Sequence, residues 1–318
     1  MIDEITITNL YTEAELEFKK EHGNSFLLET DGISWGETDA THSSYVNLTG
    51  IGDIITSTKL NTRSIAITGR VCSAHTNREI SEIYDVTLYS EIIEKKLEEI
   101  EASKKLLSQL VNPTHYLRIS HNDYYIDGKP TASVTFSDKW KENNEIFCRF
   151  TFSLECNDPM FHYKTSSETP LSGTYHGFHF PLHIPKPRGM HFGEKISYQL
   201  LNVNNSGDVS LGGVICIKAN GTVNSPTFTN VETNETIKIH KTLSEKEIVK
   251  IDTVNRKVTG STDGENYVNY FSYWDFDNVW FQFDIGDTLF GFSTDDDTYR
   301  NMDVWVEINR SYYSLEDQ

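Results

Sequence analysis

Between residues 145 and 156 every second side chain is apolar: Ile146, Cys148, Phe150, Phe152, Leu154 and Cys156. Successive side chains of an extended strand point to opposite faces, so this alternation specifies a β-strand with one buried face and excludes a helix. The intervening Glu145, Arg149, Thr151, Ser153 and Glu155 are polar, with Phe147 the exception, so the other face is expected to be wet, as in an antiparallel sheet. Two C-terminal stripes repeat the pattern, Val279, Phe281, Phe283 and Ile285, then Met302, Val304, Val306 and Ile308, and they are expected to pair with each other. Shorter strands are expected at 6–10, 64–71, 196–203, 214–219 and 248–254, separated by Gly, Asn, Asp and Pro at the intervals of sandwiches and barrels. The chain is therefore mainly β.

One segment departs from that rule. Leu88, Ile92, Ile93, Leu97, Ile100, Leu107 and Val111 recur at close to 3.6-residue spacing, which predicts a helix over 87–111 that packs on a sheet by this stripe. Asp85 or Thr87 is placed to cap its start, and Asn112-Pro113 ends it. The charge run 94–105 is then its solvated face. At 318 residues the chain exceeds what one core usually serves, so two domains are expected. The Ser-, Thr-, Pro- and Gly-rich stretch 165–173 marks the join, giving domains 1–161 and 162–318.

Charge narrows the function classes. Acidic groups number 47 against 28 basic ones, a formal charge of −19, which argues against clamping a DNA backbone or an anionic lipid surface. No apolar run is long enough to span a bilayer, and Met1-Ile2-Asp3-Glu4 has neither the basic start nor the apolar stretch of a signal peptide. Neither membrane insertion nor secretion by the standard route is expected. Four scattered cysteines, Cys72, Cys148, Cys156 and Cys216, read as reduced, small, buried residues.

Candidate chemistry fails on spacing or context. Gly32-Ile33-Ser34-Trp35-Gly36 fits the G-x-S-x-G nucleophile elbow, but no helical stripe follows it and the chain lacks βαβ alternation. His176, His179, His183 and His191 are close in sequence. On an extended strand, however, His176 and His179 face opposite ways, and His179 and His183 lie about 13 Å apart, too far for one metal unless a turn at Pro181 or Pro185 brings two together. Asp275, Asp277 and the run Asp295-Asp296-Asp297 suggest calcium or a carboxylate pair, but Arg300 stands where the invariant glycine of a calcium loop belongs. Leu211-Gly212-Gly213 lacks the lysine and helix of a phosphate loop. The aromatic stretch 267–280 suits a core, a protomer interface or a sugar-stacking platform. No catalytic, metal-binding or cofactor-binding residue is assigned.

Phe152-Ser153-Leu154-Glu155-Cys156-Asn157-Asp158-Pro159-Met160-Phe161 is an apolar strand running into Asp-Pro, and with the motifs of the second half it resembles the distal tail proteins of long-tailed phages. The resemblance continues through Asn202-Val203-Asn204-Asn205-Ser206-Gly207-Asp208-Val209, Gly213-Val214-Ile215-Cys216-Ile217 and Asn224-Ser225-Pro226-Thr227-Phe228. Glu235-Thr236-Ile237-Lys238-Ile239, Ile248-Val249-Lys250-Ile251-Asp252-Thr253 and Arg256-Lys257-Val258 complete it, and a Tyr-rich hairpin at 116–129 suits the same family. Ile285-Gly286-Asp287-Thr288 replaces the family's usual Pro-Gly-x-Asn turn, the stretch 244–247 lacks its customary Gly, and residues 20–59 match weakly.

The resemblance implies an N-terminal β-barrel-like domain with one α-helix that forms a ring of six, and a C-terminal galectin-like β-sandwich outside it. It implies a non-enzymatic hub between the tail tube protein and the tail-tip or receptor-binding proteins of a virion. A hexamer would carry six times the formal charge of −19, and an acidic lumen would let DNA pass without sticking. The alternatives are a carbohydrate-binding adhesin module, which needs an exposed aromatic platform beside Asn, Asp or His, and a β-sandwich hydrolase, for which no acid, base or nucleophile pair survives.

Overall fold

The computed structural model describes residues 4–20, 24–46, 51–73, 86–144, 146–164, 167–170, 172–175, 194–197, 200–296 and 298–315. Contacts divide the chain into two compact units, residues 1–164 with 313–318, and residues 165–312.

The first unit contains β1 (Glu4–Asn9), β2 (Glu15–Lys19), β3 (Phe26–Ser34), β4 (Ala40–Val46), β5 (Asp53–Leu60), β6 (Arg63–Cys72), α1 (Val86–Leu110), β7 (Leu117–His121), β8 (Tyr124–Pro130), β9 (Thr135–Phe136), β10 (Phe147–Cys156) and β11 (Phe161–Tyr163). Seven strands follow one another as β8-β7-β1-β2-β3-β6-β10, and β10 pairs back onto β8, which closes a barrel. All these pairings are antiparallel except β2 with β3. Alternation explains the longest of them: Ile65, Ile67 and Val71 of β6 and Cys148, Phe150, Phe152 and Leu154 of β10 are buried, while Thr68 bonds Thr151 at 2.8 Å on the outer face. Gly69 has to be glycine, because a Cβ there would lie 2.4 Å from the Leu27 carbonyl oxygen and 2.6 Å from the Phe150 ring. Ile146, expected on the buried stripe, lies before β10 and is exposed, since the strand begins one residue later.

The helix adds Ile100, Leu107 and Leu110 to the barrel core. Its buried line runs Lys96, Ile100, Ser103, Leu107 and Leu110, so Leu97 falls on the flank and is exposed, contrary to the expected stripe. Thr87 lies inside the helix, not at its cap, and Asp85 is outside the described residues. At the other end the buried Asn9 donates from Nδ2 to the Leu110 carbonyl at 2.8 Å, and its Oδ1 accepts the backbone N–H groups of Tyr11 at 3.0 Å and Thr12 at 3.1 Å. One side chain thus satisfies a helix-end carbonyl and the β1–β2 turn together.

In the second unit the strands are β12 (Ser167–Pro170), β13 (Ser172–Tyr175), β14 (Glu194–Ser197), β15 (Leu200–Asn205), β16 (Val214–Ala219), β17 (Val223–Asn224), β18 (Thr227–Asn230), β19 (Thr236–Lys238), β20 (Thr242–Leu243), β21 (Ile248–Asp252), β22 (Lys257–Ser261), β23 (Val268–Asn269), β24 (Gly286–Ser293) and β25 (Met302–Ile308). A six-stranded sheet, β12-β25-β16-β21-β22-β23, and a four-stranded sheet, β15-β24-β18-β19, share one core, which makes this unit a β-sandwich. Ile215, Ile217, Val249, Ile251, Val304 and Val306 come from the first sheet, and Val203, Phe228, Ile237, Phe290 and Phe292 from the second.

Two expectations are corrected here. Residues 279–285 are not a strand and do not pair with β25: Phe281 and Phe283 enter the core, but only an isolated bridge, Leu211 to Phe283, forms. β25 pairs instead with β16 and β12. The expected strand 196–203 is two strands in different sheets, β14 paired with β13 and β15 paired with β24. No helix among the described residues is long and apolar enough to cross a membrane.

Candidate interaction surfaces

The residues singled out for chemistry are engaged in structure. Gly32, Ile33 and Ser34 continue β3, with Ile33 opposite Ile67 and Ser34 opposite Ala66, so no strand-to-helix elbow exists. The two glycines serve close approach: a Cβ on Gly32 or on Gly36, whose φ is +64°, would lie 2.2 Å from a carbonyl oxygen of β6. The four histidines 176, 179, 183 and 191 lie outside the described residues, as does Asp297. Among the described residues no group of three or more His, Cys, Asp or Glu side chains is placed to hold a metal ion.

Asp275, Asp295 and Asp296 each have their own donor. His240 Nε2 lies 2.5 Å from Asp275 Oδ2, and this hydrogen bond, followed by the Asp277 backbone N–H, holds the Asp275 carboxyl below the usual range. Lys238 does the same for Asp295 at 2.7 Å. The Thr298 hydroxyl donates to Asp296 at 2.6 Å, with Asn224 as a second donor, and that carboxyl is also depressed. These are hairpin and turn contacts made in different directions.

The family-like motifs prove to be turn fasteners. Asn205 is fully buried; its Nδ2 donates to the carbonyls of Val209 at 2.9 Å and Phe283 at 3.0 Å, and its Oδ1 accepts Gly207 N–H at 3.0 Å. In Ile251-Asp252-Thr253, Asp252 Oδ1 accepts the backbone of Val254 and Asn255, while the Thr253 hydroxyl donates to the Gly213 carbonyl at 3.1 Å and accepts its N–H at 3.0 Å. Sequence reasoning missed the centre of the sandwich turn at Glu247. That side chain is 1% exposed and accepts from Lys241 Nζ at 2.9 Å, the Tyr270 hydroxyl at 2.8 Å and the Ser244 backbone at 2.9 Å. Burial would raise its carboxyl, but Lys241, Ser244 and Tyr270 outweigh it and hold it low, while burial and the same bond push the Tyr270 hydroxyl up to about 12.

The aromatic stretch splits between core and surface. Trp274 and Trp280 stack at 3.9 Å with Phe271 nearly parallel to both, and Tyr273, Trp274 and Trp280 pack on the sandwich core. Phe271, Val279 and the entirely exposed Phe276 face solvent near the His240–Asp275 pair. On the first unit, β4 and β5 form a separate two-stranded sheet that pairs with no barrel strand. A second exposed group there is Leu10, Tyr11 and Tyr116, joined by the Leu10 N–H to Tyr116 carbonyl bond at 3.0 Å.

Residues 206–303 match the family model for the siphovirus-type tail component, C-terminal domain. That match lies entirely within the second unit. Over the whole chain the fold is similar to that of the SPP1 Dit (gp 19.1) protein, described as a paradigm of the hub adsorption apparatus in phages infecting Gram-positive hosts. That likeness has a TM-score of 0.59 at 10% identity and covers 96% of this chain and 98% of the other. A chain of the phage P2 baseplate in its activated conformation with Ca aligns at 11% identity and TM-score 0.42, covering 96% of this chain and 98% of that one. No curated protein matches in sequence. The family match at 206–303 thus lies within a chain whose fold is similar to that of SPP1 Dit along nearly its whole length.

Proposed function

We propose that this chain is a non-enzymatic structural protein of a phage tail, assembling as a hexameric adaptor ring between the tail tube and the baseplate or tail-tip host-adhesion apparatus. The observation that carries this reading is the tail-component domain at 206–303 set in a chain that overlays a hub protein over 96% of its length. Its place is the virion tail, with the tail tube protein on one side and tail-tip or receptor-binding proteins on the other. The first unit is read as the ring-forming domain and the second as a galectin-like sandwich on the outside. The separate exposed surfaces support it, since a head-to-tail ring needs two different patches on every protomer. Light scattering on the purified chain tests it: a closed species near six times 36.4 kDa supports the ring, and a monomer at every concentration and salt refutes self-assembly.

A second reading, glycan contact by the second unit, is favoured by exposed Phe271 and Phe276 beside His240 and Asp275. Glycan-array binding that disappears in Phe271→Ala/Phe276→Ala would establish it, and binding to no glycan would dismiss it.

A further inference from the structure

Asn220 is followed by Gly221, the one Asn-Gly pair in the chain. The pair lies in the irregular turn between β16 and β17, and Asn220 is exposed. Three bonds shape the turn: the Asn220 N–H donates to the Asn301 carbonyl at 2.6 Å, its Nδ2 donates to Asp303 Oδ2 at 2.7 Å, and Asn301 Nδ2 donates to the Thr222 carbonyl at 3.0 Å. The Gly221 N–H donates to no described residue, so a free backbone nitrogen adjoins an exposed side-chain amide. Other asparagines are placed differently. Asn9 and Asn205 are fully buried with both ends of the amide bonded. Asn122 and Asn234, which sit in turns at positive φ, are followed by Asp123 and Glu235, and any side chain at that place crowds the approach of the backbone nitrogen to the amide. Glycine has no Cβ to obstruct the approach and the widest choice of backbone angles with which to make it.

We infer that Asn220 is a self-modifying site, at which the chain converts its own asparagine to aspartate or isoaspartate with water as the co-reactant. The Gly221 amide nitrogen gives its proton to solvent and attacks Asn220 Cγ. A new N–Cγ bond closes a cyclic imide, the Cγ–Nδ2 bond breaks, and Nδ2 takes a proton from solvent and leaves as ammonia. Water then adds to one imide carbonyl and the C–N bond there opens. Opening at Cγ gives aspartate, and opening at the backbone carbonyl routes the chain through the side chain and gives isoaspartate. Water enters, ammonia leaves and nothing is oxidised or reduced. Either product removes a donor and sets a carboxylate against Asp303, so a hydrogen bond becomes a contact between like charges. Isoaspartate also lengthens the backbone of a turn that Asn301 fastens at both Asn220 and Thr222. The conversion therefore loosens this turn where β16 ends beside the start of β25, at the Ala219–Met302 pair. It needs no second protein and does not depend on the ring reading above.

The test is a timed incubation of the full chain in mildly alkaline and in mildly acidic buffer, with the peptide containing Asn220 followed by mass spectrometry. Asn220 should exchange its amide for an acid ahead of Asn122 and Asn234, and an order of magnitude faster in the alkaline buffer, because the attacking nitrogen must lose its proton. Gly221→Ala should slow the exchange by at least an order of magnitude. Its Cβ would lie 3.3 Å from Asn301 Cγ, in a side chain that can shift, and a urea transition verifies that the variant folds. Asn220→Asp, a stand-in for the aspartate product, should lower the urea midpoint at neutral pH and lose that difference in acid, where the paired carboxylates protonate. Asn220 keeping its amide while Asn122 or Asn234 loses theirs, or Gly221→Ala converting at the wild-type rate, would overturn the assignment. An Asn220→Asp midpoint equal to wild type at neutral pH would overturn the loosening through Asp303.

Discussion

Glu247→Gln is the perturbation that most sharply tests how the sandwich is held. The carboxylate is buried and accepts three donors, with Lys241 and Tyr270 sharing Oε1 and the Ser244 amide on Oε2. An amide of the same shape keeps one acceptor oxygen, so at least one donor faces another donor, at about 1–3 kcal/mol. It also strands the Lys241 ammonium. Removing one partner of a buried pair costs about 3–5 kcal/mol, and the low end applies because Lys241 keeps a fifth of its surface in water. The expected loss is about 3 kcal/mol, a drop of roughly 1.5 M in urea midpoint for an m-value near 2 kcal/mol/M. Tryptophan fluorescence can follow it, since Trp274, Trp280 and Trp305 all lie in the second unit. A pH series supplies the control. The Glu247 carboxyl is depressed in the folded state, so its stabilisation is complete above the ordinary glutamate range and is lost as pH falls through the folded value. Wild type should therefore weaken on acidification and converge on the variant, which lacks that slope. A loss under about 0.5 kcal/mol, or parallel pH profiles, would refute the argument that this carboxylate fastens the turn.

Gly260→Ala should destabilise the same unit by about 2–3 kcal/mol, because the new Cβ would lie 2.0 Å from the Tyr270 ring. The ring it displaces carries the Glu247 bond, so its effect and that of Glu247→Gln should be less than additive in urea titrations. Asn9→Ala should cost the first unit about 1–2 kcal/mol, read as an earlier helix signal loss in circular dichroism melts, by removing the bond to the Leu110 carbonyl, which keeps the Asn112 N–H, and the two that hold the turn N–H groups of Tyr11 and Thr12. Ellman's reagent should find at most one slowly reacting thiol in the native chain and four in denaturant. Cys148, Cys156 and Cys216 are buried, burial pushes Cys156 up to about 12, and Cys72 is only half-exposed.

The barrel was legible wherever a strand alternates against its own core. β6 and β10 read directly, as did the helix, whose register the sequence shifts slightly because Lys96 and Ser103 occupy buried positions that an apolar count passes over. Alternation reports which face is buried, not whether the backbone finds a partner. Phe281 and Phe283 therefore looked like a strand, although they enter the core from an irregular segment with one bridge. The break between β14 and β15 was hidden for the same reason, since each half keeps an extended pattern while pairing in a different sheet. Buried polar residues gave the least warning. The local sequence does not show which distant groups reach Asn9, Asn205 and Glu247, since the separations extend to 106, 78 and 23 residues respectively.

Surfaces are illegible for a further reason. The segment from Tyr45 to Ile55 carries large hydrophobic side chains that would count toward a core by composition, yet Tyr45, Val46, Ile51, Ile54 and Ile55 all face water. Sequence rules assume that a chain buries its apolar residues in itself, and that assumption fails where the burial is completed by another molecule. For the role proposed above the failure is informative. Of the residues singled out for chemistry, Ser34, Asp275 and Asp296 are tied into a strand or a turn. Exposed apolar area at the end of the β4–β5 hairpin, at Leu10, Tyr11 and Tyr116, and at Phe271 and Phe276 is what the chain's own stability does not explain, and that is where the chemistry of assembly should be sought.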